Sequence, residues 1–279
     1  MKIKFSPVWI CIIGFEAVGW QLPALAEVPA QVETPFQLGW QDAGWIAGGL
    51  LIQIPAQLRY RDMSSADTAS LNRQDLIPPD RWVAGLYSPD IALASDILVL
   101  PFCALPIALT AWDAWANKEG LNPVLTDAVV FGEAMAFSSA LDLMVRSLQI
   151  HPRPLVYGKD VPARERLAGE ASGSFYSGHT NAAFLAAVYL SYTYPLRHPN
   201  FQGQGWLWTT TLATATAVAS LRVAAGKHFP TDVVAGAAAG AFFGWIFPRM
   251  HLHSKRPGTA RLELQEDHLG IHPQLVWVF

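Results

Sequence analysis

Residues 220–236 read SLRVAAGKHFPTDVVAG. This stretch closes one apolar segment of helical length, Leu207 to Arg222, and opens another, Asp232 to Phe247. Pro230 suits the first turn of a helix, where its missing N–H would have had no partner anyway, so His228 falls just before that helix and Asp232 inside its first turn. A carboxylate so placed can accept a hydrogen bond from one imidazole nitrogen. That fixes the tautomer and leaves the other nitrogen as an outward-facing nucleophile. A lone His-Asp pair is more often structural, so the rest of the chain has to decide.

Working outward, three more apolar segments of helical length precede this pair: Ile91 to Trp112, Leu125 to Leu148 and Thr180 to Leu196. They are rich in Ala and Leu, lack the strict alternation of half-buried strands, and are joined by short polar or proline-containing links. The expected fold is all-α, a helical bundle. Residues 43–56 form an apolar stretch shorter than the roughly 20 residues a membrane span needs, and read as a packed or interfacial helix. Residues 71–90 hold Pro78, Pro79 and Pro89 and read as a loop. At the end of the chain, alternating patterns on either side of Gly270 suggest a small β-hairpin.

The composition is 52% hydrophobic and 15% charged, against roughly 25% charged in soluble domains, which points to a membrane or an unusually buried core. The net charge of −3 gives no basic excess to attract nucleic acid. The opening MKIKF, the apolar run that follows and Ala24-Leu25-Ala26 match a secretory signal, so residues 1–26 are expected to be a signal peptide or an uncleaved anchor. The expected organisation continues with an N-terminal periplasmic segment (27–90), a helical catalytic domain (91–250) and a C-terminal tail (251–279).

Two further polar clusters interrupt the apolar helices. Arg146 and Arg153-Pro154 follow the second long segment, where alone they would pass for charge anchoring at a membrane edge. Ser177-Gly178-His179 stands at the start of the third, where free backbone N–H groups and the helix dipole suit an anion. Antiparallel neighbours joined by short links bring these ends, with Arg222, His228 and Asp232, to one face of the bundle. That face would combine three guanidiniums, an anion cradle and two histidines, the groups phosphoryl transfer through a covalent intermediate requires.

The order Arg146-x6-Arg153-Pro154, Ser177-Gly178-His179, Arg222-x5-His228-x3-Asp232 resembles the type-2 phosphatidic acid phosphatase family, part of the acid phosphatase and vanadium haloperoxidase superfamily. The resemblance spans about residues 91–250. The sequence departs from the family pattern at Arg146, where the family has lysine, at Tyr176, where it has proline, and at Leu221, where it has serine. The resemblance implies that His228 attacks phosphorus, that Asp232 orients it, and that His179 protonates the leaving oxygen and later activates water. It also implies that Arg146, Arg153, Ser177, Gly178 and Arg222 hold the phosphate, with no metal and no cofactor. His151 reads as a loop residue, Lys227 as a solvated loop lysine, and His251 and His253, with Arg249, Lys255 and Arg256, as a basic cytoplasmic flank.

Alternating the five segments across a bilayer places every site residue on the periplasmic side of the inner membrane. Asp127, Glu133 and Asp142, inside the second segment, must then face the bundle interior. The expected substrate is a phosphate monoester or pyrophosphate, on a lipid given the composition. A soluble periplasmic acid phosphatase is the alternative, favoured by those acids and by Asp96 in the first segment. A vanadium-dependent haloperoxidase fits the length and apolar content less well, and vanadate-dependent bromination of a dye separates it. A non-catalytic helical membrane component is opposed by the joint presence of His179, His228 and Asp232.

Overall fold

Each of the five apolar segments folds as one helix in the computed structural model, which describes residues 35–252, 259–267 and 270–278. The helices are α1 (Trp40–Arg61), α2 (Pro78–Arg81), α3 (Pro89–Ala116), α4 (Asn122–Arg146), α5 (Ala163–Arg166), α6 (Gly178–Arg197), α7 (Gln204–Ala224) and α8 (Pro230–His251). Strands β1 (Thr259–Asp267) and β2 (Gly270–Val278) pair antiparallel as a hairpin. The signal-like segment, His253, Lys255 and Arg256 lie outside the described residues. The apolar stretch at 43–56 extends to the 22 residues of α1, which packs along α4. Pro78, Pro79 and Pro89 each sit in the first turn of a helix, α2 or α3, where no N–H is needed.

Buried positions on α3 recur every three or four residues, at Ala92, Ser95, Val99, Phe102, Pro106, Thr110 and Ala114, and so form one face. The opposite face carries Leu93, Ile97 and Leu100, exposed at 57%, 62% and 71%. Large apolar side chains pointing outward invert the pattern of a water-soluble bundle. Among the described residues three helices, α3, α4 and α8, are long and apolar enough to cross a membrane, fewer than the five segments the sequence suggested. The other two differ for physical reasons. On α6 the polar Thr180, Asn181, Ser191 and Thr193 interrupt the apolar run, and they are buried because this helix packs against α3, α4, α7 and α8. On α7 polar threonines dilute the apolar run. The hydroxyls of Thr209, Thr210, Thr214 and Thr216 donate to carbonyls one turn back at 2.8–2.9 Å, which satisfies them within the helix.

The charged residues inside α4 face inward, as a membrane setting demands. Asp127, Glu133 and Asp142 are exposed by 0%, 2% and 3%. Asp127 pairs with Arg197 and takes hydrogen bonds from Thr110 and Tyr189.

Helices α6 and α8 run in the same direction and touch backbone to backbone. A Cβ on Gly236 would stand 2.6 Å from the Ser177 carbonyl, and one on Gly240 or Gly244 would collide with the carbonyls of Asn181 or Leu185. Three glycines at four-residue spacing thus let the helices approach closely. Their first turns are joined by a hydrogen bond of 3.2 Å from the Ser177 N–H to the Asp232 carbonyl.

Candidate active site

The ends of α1, α4 and α7, the starts of α3 and α6, and the loop before α8 line a cavity of about 520 Å³. Arg146, Arg153, Gly178, His179, Arg222 and His228 all line it, so the three sequence clusters do converge. The loop that delivers His228 turns at Gly226, whose φ is +71° and whose missing Cβ would collide with the Leu86 carbonyl. Only glycine accommodates both conditions.

His228 is 1% exposed, and its Nδ1 lies 2.9 Å from the Ser174 carbonyl. A carbonyl can only accept, so Nδ1 carries the proton and Nε2 keeps the lone pair. The sequence assigned this orienting hydrogen bond to Asp232, but Asp232 Oδ2 stands 3.7 Å from Nδ1. Asp232 is instead committed locally. Its Oδ2 accepts from the Ser174 hydroxyl at 2.5 Å and from the Phe229 N–H at 2.9 Å. It therefore acts on His228 through charge and by holding Ser174, whose carbonyl takes the Nδ1 proton. Burial, with help from the Arg222 and Arg153 guanidiniums, pulls the His228 imidazole down to about 3 despite the opposing pull of Asp232.

His151 is a second correction. Read as a loop residue, it places Nε2 3.2 Å from Asp232 Oδ1 and packs its ring 5.4 Å from that of Phe229. Burial pulls its pKa down, but the Asp232 carboxylate more than offsets this and leaves it raised. Asp232 is thus flanked by two histidines. Asp96, cited above in favour of a soluble protein, also belongs to the cavity. One oxygen, Oδ1, meets His179 Nε2 at 2.8 Å and Arg222 Nη1 at 3.0 Å.

The phosphate-binding candidates divide. Arg146 is held by Asp142 at 2.6 Å, by the Tyr60 hydroxyl at 3.2 Å and by stacking 4.7 Å above the Tyr60 ring. Such support fixes the plane of its fork. Arg153 reaches Glu170 at 3.7 Å, and Arg222 donates to Ser95 at 3.1 Å. Ser177 does not line the cavity. It is fully buried as the N-cap of α6, with its hydroxyl 3.0 Å from that of Thr180. Gly178 does line the cavity, and a Cβ there would stand 2.7 Å from Asp142 Oδ2. Lys227 lines the cavity as well, half-buried, and Arg164 adds a cation from α5.

A cavity walled by arginines and two histidines, at the end of a helical bundle, defines a helical protein with a built anion site. Residues 127–256 match the sequence profile of the PAP2 superfamily. The lipid A 1-phosphatase of Porphyromonas gingivalis is 34% identical over 93 residues, which cover 32% of this chain and 20% of that protein. The aligned stretch is therefore a fifth of the relative's length. Among solved structures, a transmembrane PAP2-type phosphatidylglycerolphosphate phosphatase from Bacillus subtilis superposes with a TM-score of 0.48 at 15% identity, covering 78% of this chain and 99% of that one.

Proposed function

We propose that this protein is a metal-independent phosphatase of lipid phosphates, acting through a phosphohistidine on the periplasmic side of the inner membrane. The observation that carries the reading is the pairing of His228, with Nδ1 held by Ser174 and Nε2 unprotonated, with three guanidiniums around the same cavity. His228 Nε2 attacks phosphorus as the bond to the leaving oxygen breaks, and His179 gives that oxygen a proton. Water then attacks the phosphohistidine, passes a proton to His179 and releases phosphate, which returns both histidines to their starting states. Arg146, Arg153 and Arg222 neutralise the equatorial oxygens in both steps. Asp96 keeps the His179 ring and the Arg222 fork in register through a single oxygen. Asp232 holds Ser174 and counters the charge that develops on His228.

Lipid specificity is supported by an apolar groove of about 570 Å³ beside the cavity. Its wall includes Val223 and Ala224, which follow Arg222, and Leu86, which precedes Tyr87 of the cavity. An acyl or isoprenyl chain suits such a lining, and the name of the P. gingivalis relative points the same way. Phosphate release should be measured from phosphatidate, phosphatidylglycerol phosphate, an isoprenyl pyrophosphate, lipid A and water-soluble sugar phosphates. One lipid should exceed the soluble esters in kcat/KM by at least about tenfold, the effect of burying even two additional methylenes. Equal turnover of soluble esters would favour the non-specific acid phosphatase instead.

A further inference from the structure

Away from the cavity, three buried side chains from three helices meet. Asp42 comes from the first turn of α1, Glu133 from the middle of α4 and His251 from the end of α8, with exposures of 5%, 2% and 3%. His251 lies 19 residues beyond Asp232 on the same helix, roughly 29 Å along its axis at 1.5 Å per residue. The phosphoryl chemistry therefore makes no use of this cluster. The sequence placed His251 in a solvated basic flank, yet the residue is enclosed.

The hydrogen bonds determine what the cluster lacks. His251 Nδ1 lies 2.8 Å from the Phe247 carbonyl, so Nδ1 carries the proton and Nε2 bears the lone pair in the neutral ring. Nε2 faces Asp42 Oδ1 at 3.0 Å and Glu133 Oε2 at 3.2 Å. Neither oxygen of Glu133 receives a hydrogen bond. Asp42 Oδ2 is already engaged, accepting from the Gly39 N–H at 2.5 Å. No lysine or arginine among the described residues pairs with either carboxylate. Three lone-pair donors, two of them carboxylate oxygens, thus converge in the buried space between α1, α4 and α8. A carboxylate enclosed without a counter-charge is costly, and a divalent cation held by all three donors relieves both carboxylates at once.

We infer that Asp42, Glu133 and His251 form a binding site for a divalent transition-metal ion, with zinc the best match to one imidazole and two carboxylates. Ligands about 2.0–2.2 Å from zinc stand roughly 3.3–3.6 Å apart in a tetrahedron. The three donor atoms lie within 4.8 Å of one another, two of the pairs at 3.0 and 3.2 Å, so the side chains already converge on the spacing that an ion requires. Glu133 Oε1 or a water supplies the fourth position. The Phe247 carbonyl on Nδ1 and the Gly39 N–H on Asp42 are the outer partners that orient metal ligands. The ion ties α1 to α4 and α8 and has a structural role, separate from the phosphatase chemistry.

The test uses the full-length protein in detergent, stripped with EDTA, loaded with zinc and desalted. Metal content is read by mass spectrometry and melting temperature by tryptophan fluorescence. Wild type should retain one zinc per chain and melt at least about 5 °C higher with zinc than without, a shift worth one to two kcal/mol in a chain of this size. The nearly isosteric Glu133→Gln should lose both the stoichiometric zinc and the shift, and its own melting transition shows that it has folded. His228→Ala should keep both. The inference fails if wild type retains no more zinc than Glu133→Gln, if its melting ignores zinc, or if His228→Ala abolishes retention and so assigns the ion to the cavity.

Discussion

Two charge clusters, at opposite ends of helix α4, make opposite use of the same chemistry. Near its start, Asp127 is fully enclosed and matched by Arg197, with Thr110 and Tyr189 taking up the remaining lone pairs. At its end, Arg146 joins Arg153 and Arg222 around an open cavity, where Asp96, Asp142 and Glu170 each engage an arginine and the guanidiniums still face a space large enough for a substrate headgroup. Balance and closure mark a structural pair. Cations around an open space mark a binding site, because an incoming phosphate can supply the charge the protein withholds.

The largest expected effect breaks the catalytic end. His228→Ala should abolish turnover in a protein that still folds, with a melting temperature lowered by the cavity and by the Ser174 carbonyl left without its partner. A variant that retains more than about a thousandth of the wild-type kcat would remove His228 as the nucleophile. Because burial holds this imidazole near 3, acidification from pH 7 to pH 5 leaves it unprotonated and able to attack. The rate of phosphoenzyme formation, followed by rapid quench, should therefore not fall with a midpoint near the ordinary histidine value of about 6.5.

The second prediction breaks the closed end. Asp127→Asn leaves Arg197 buried without its counter-charge and should cost about 3–5 kcal/mol of stability. The kcat of the folded fraction should stay within about twofold of wild type. A large loss of kcat without a loss of stability would show that the two ends are not independent.

A smaller effect sharpens the comparison within the cavity. Asp96→Asn weakens the hold on both His179 and Arg222, and should lower kcat/KM for an alkyl phosphate by roughly 10- to 100-fold. An aryl phosphate, whose phenolate leaves without a proton, should lose less. Equal losses for the two substrates would assign Asp96 to phosphate binding alone.

The legible part of this molecule was the part encoded locally. The five long helices followed from apolar segments and the start of α8 from Pro230, whereas Pro78, Pro79 and Pro89 were read as loop residues; Arg146, Arg153, His179, Arg222 and His228 stood out because each sits at a helix end next to a polar interruption. Asp96 and His151 did not. Asp96 is one acid in an apolar helix, and only the packing of α3 against α6 and α7 shows that its partners are His179 and Arg222. A signal was nevertheless present, since a carboxylate in such a helix is expensive and has to find a cation. His151 carries no such cost, and its contact with Asp232 depends on a fold between residues about 80 apart. For Ser177 the ordinary capping role prevailed over the phosphate-binding one, a choice made by the direction of a hydroxyl that sequence cannot give.

The glycines of α8 have a consequence for the chemistry itself. Because α6 and α8 rest on each other through main chain, the offset between His179 and the loop carrying His228 is set by two rods with almost no play. A side chain at Gly240 would act as a shim, spreading the rods and moving His179 away from His228 without touching either residue. In-line transfer tolerates little of that, and a misplacement of about 1 Å can cost a hundredfold in rate. The tolerance of the reaction is therefore held some two turns below the cavity, by residues with no functional groups at all.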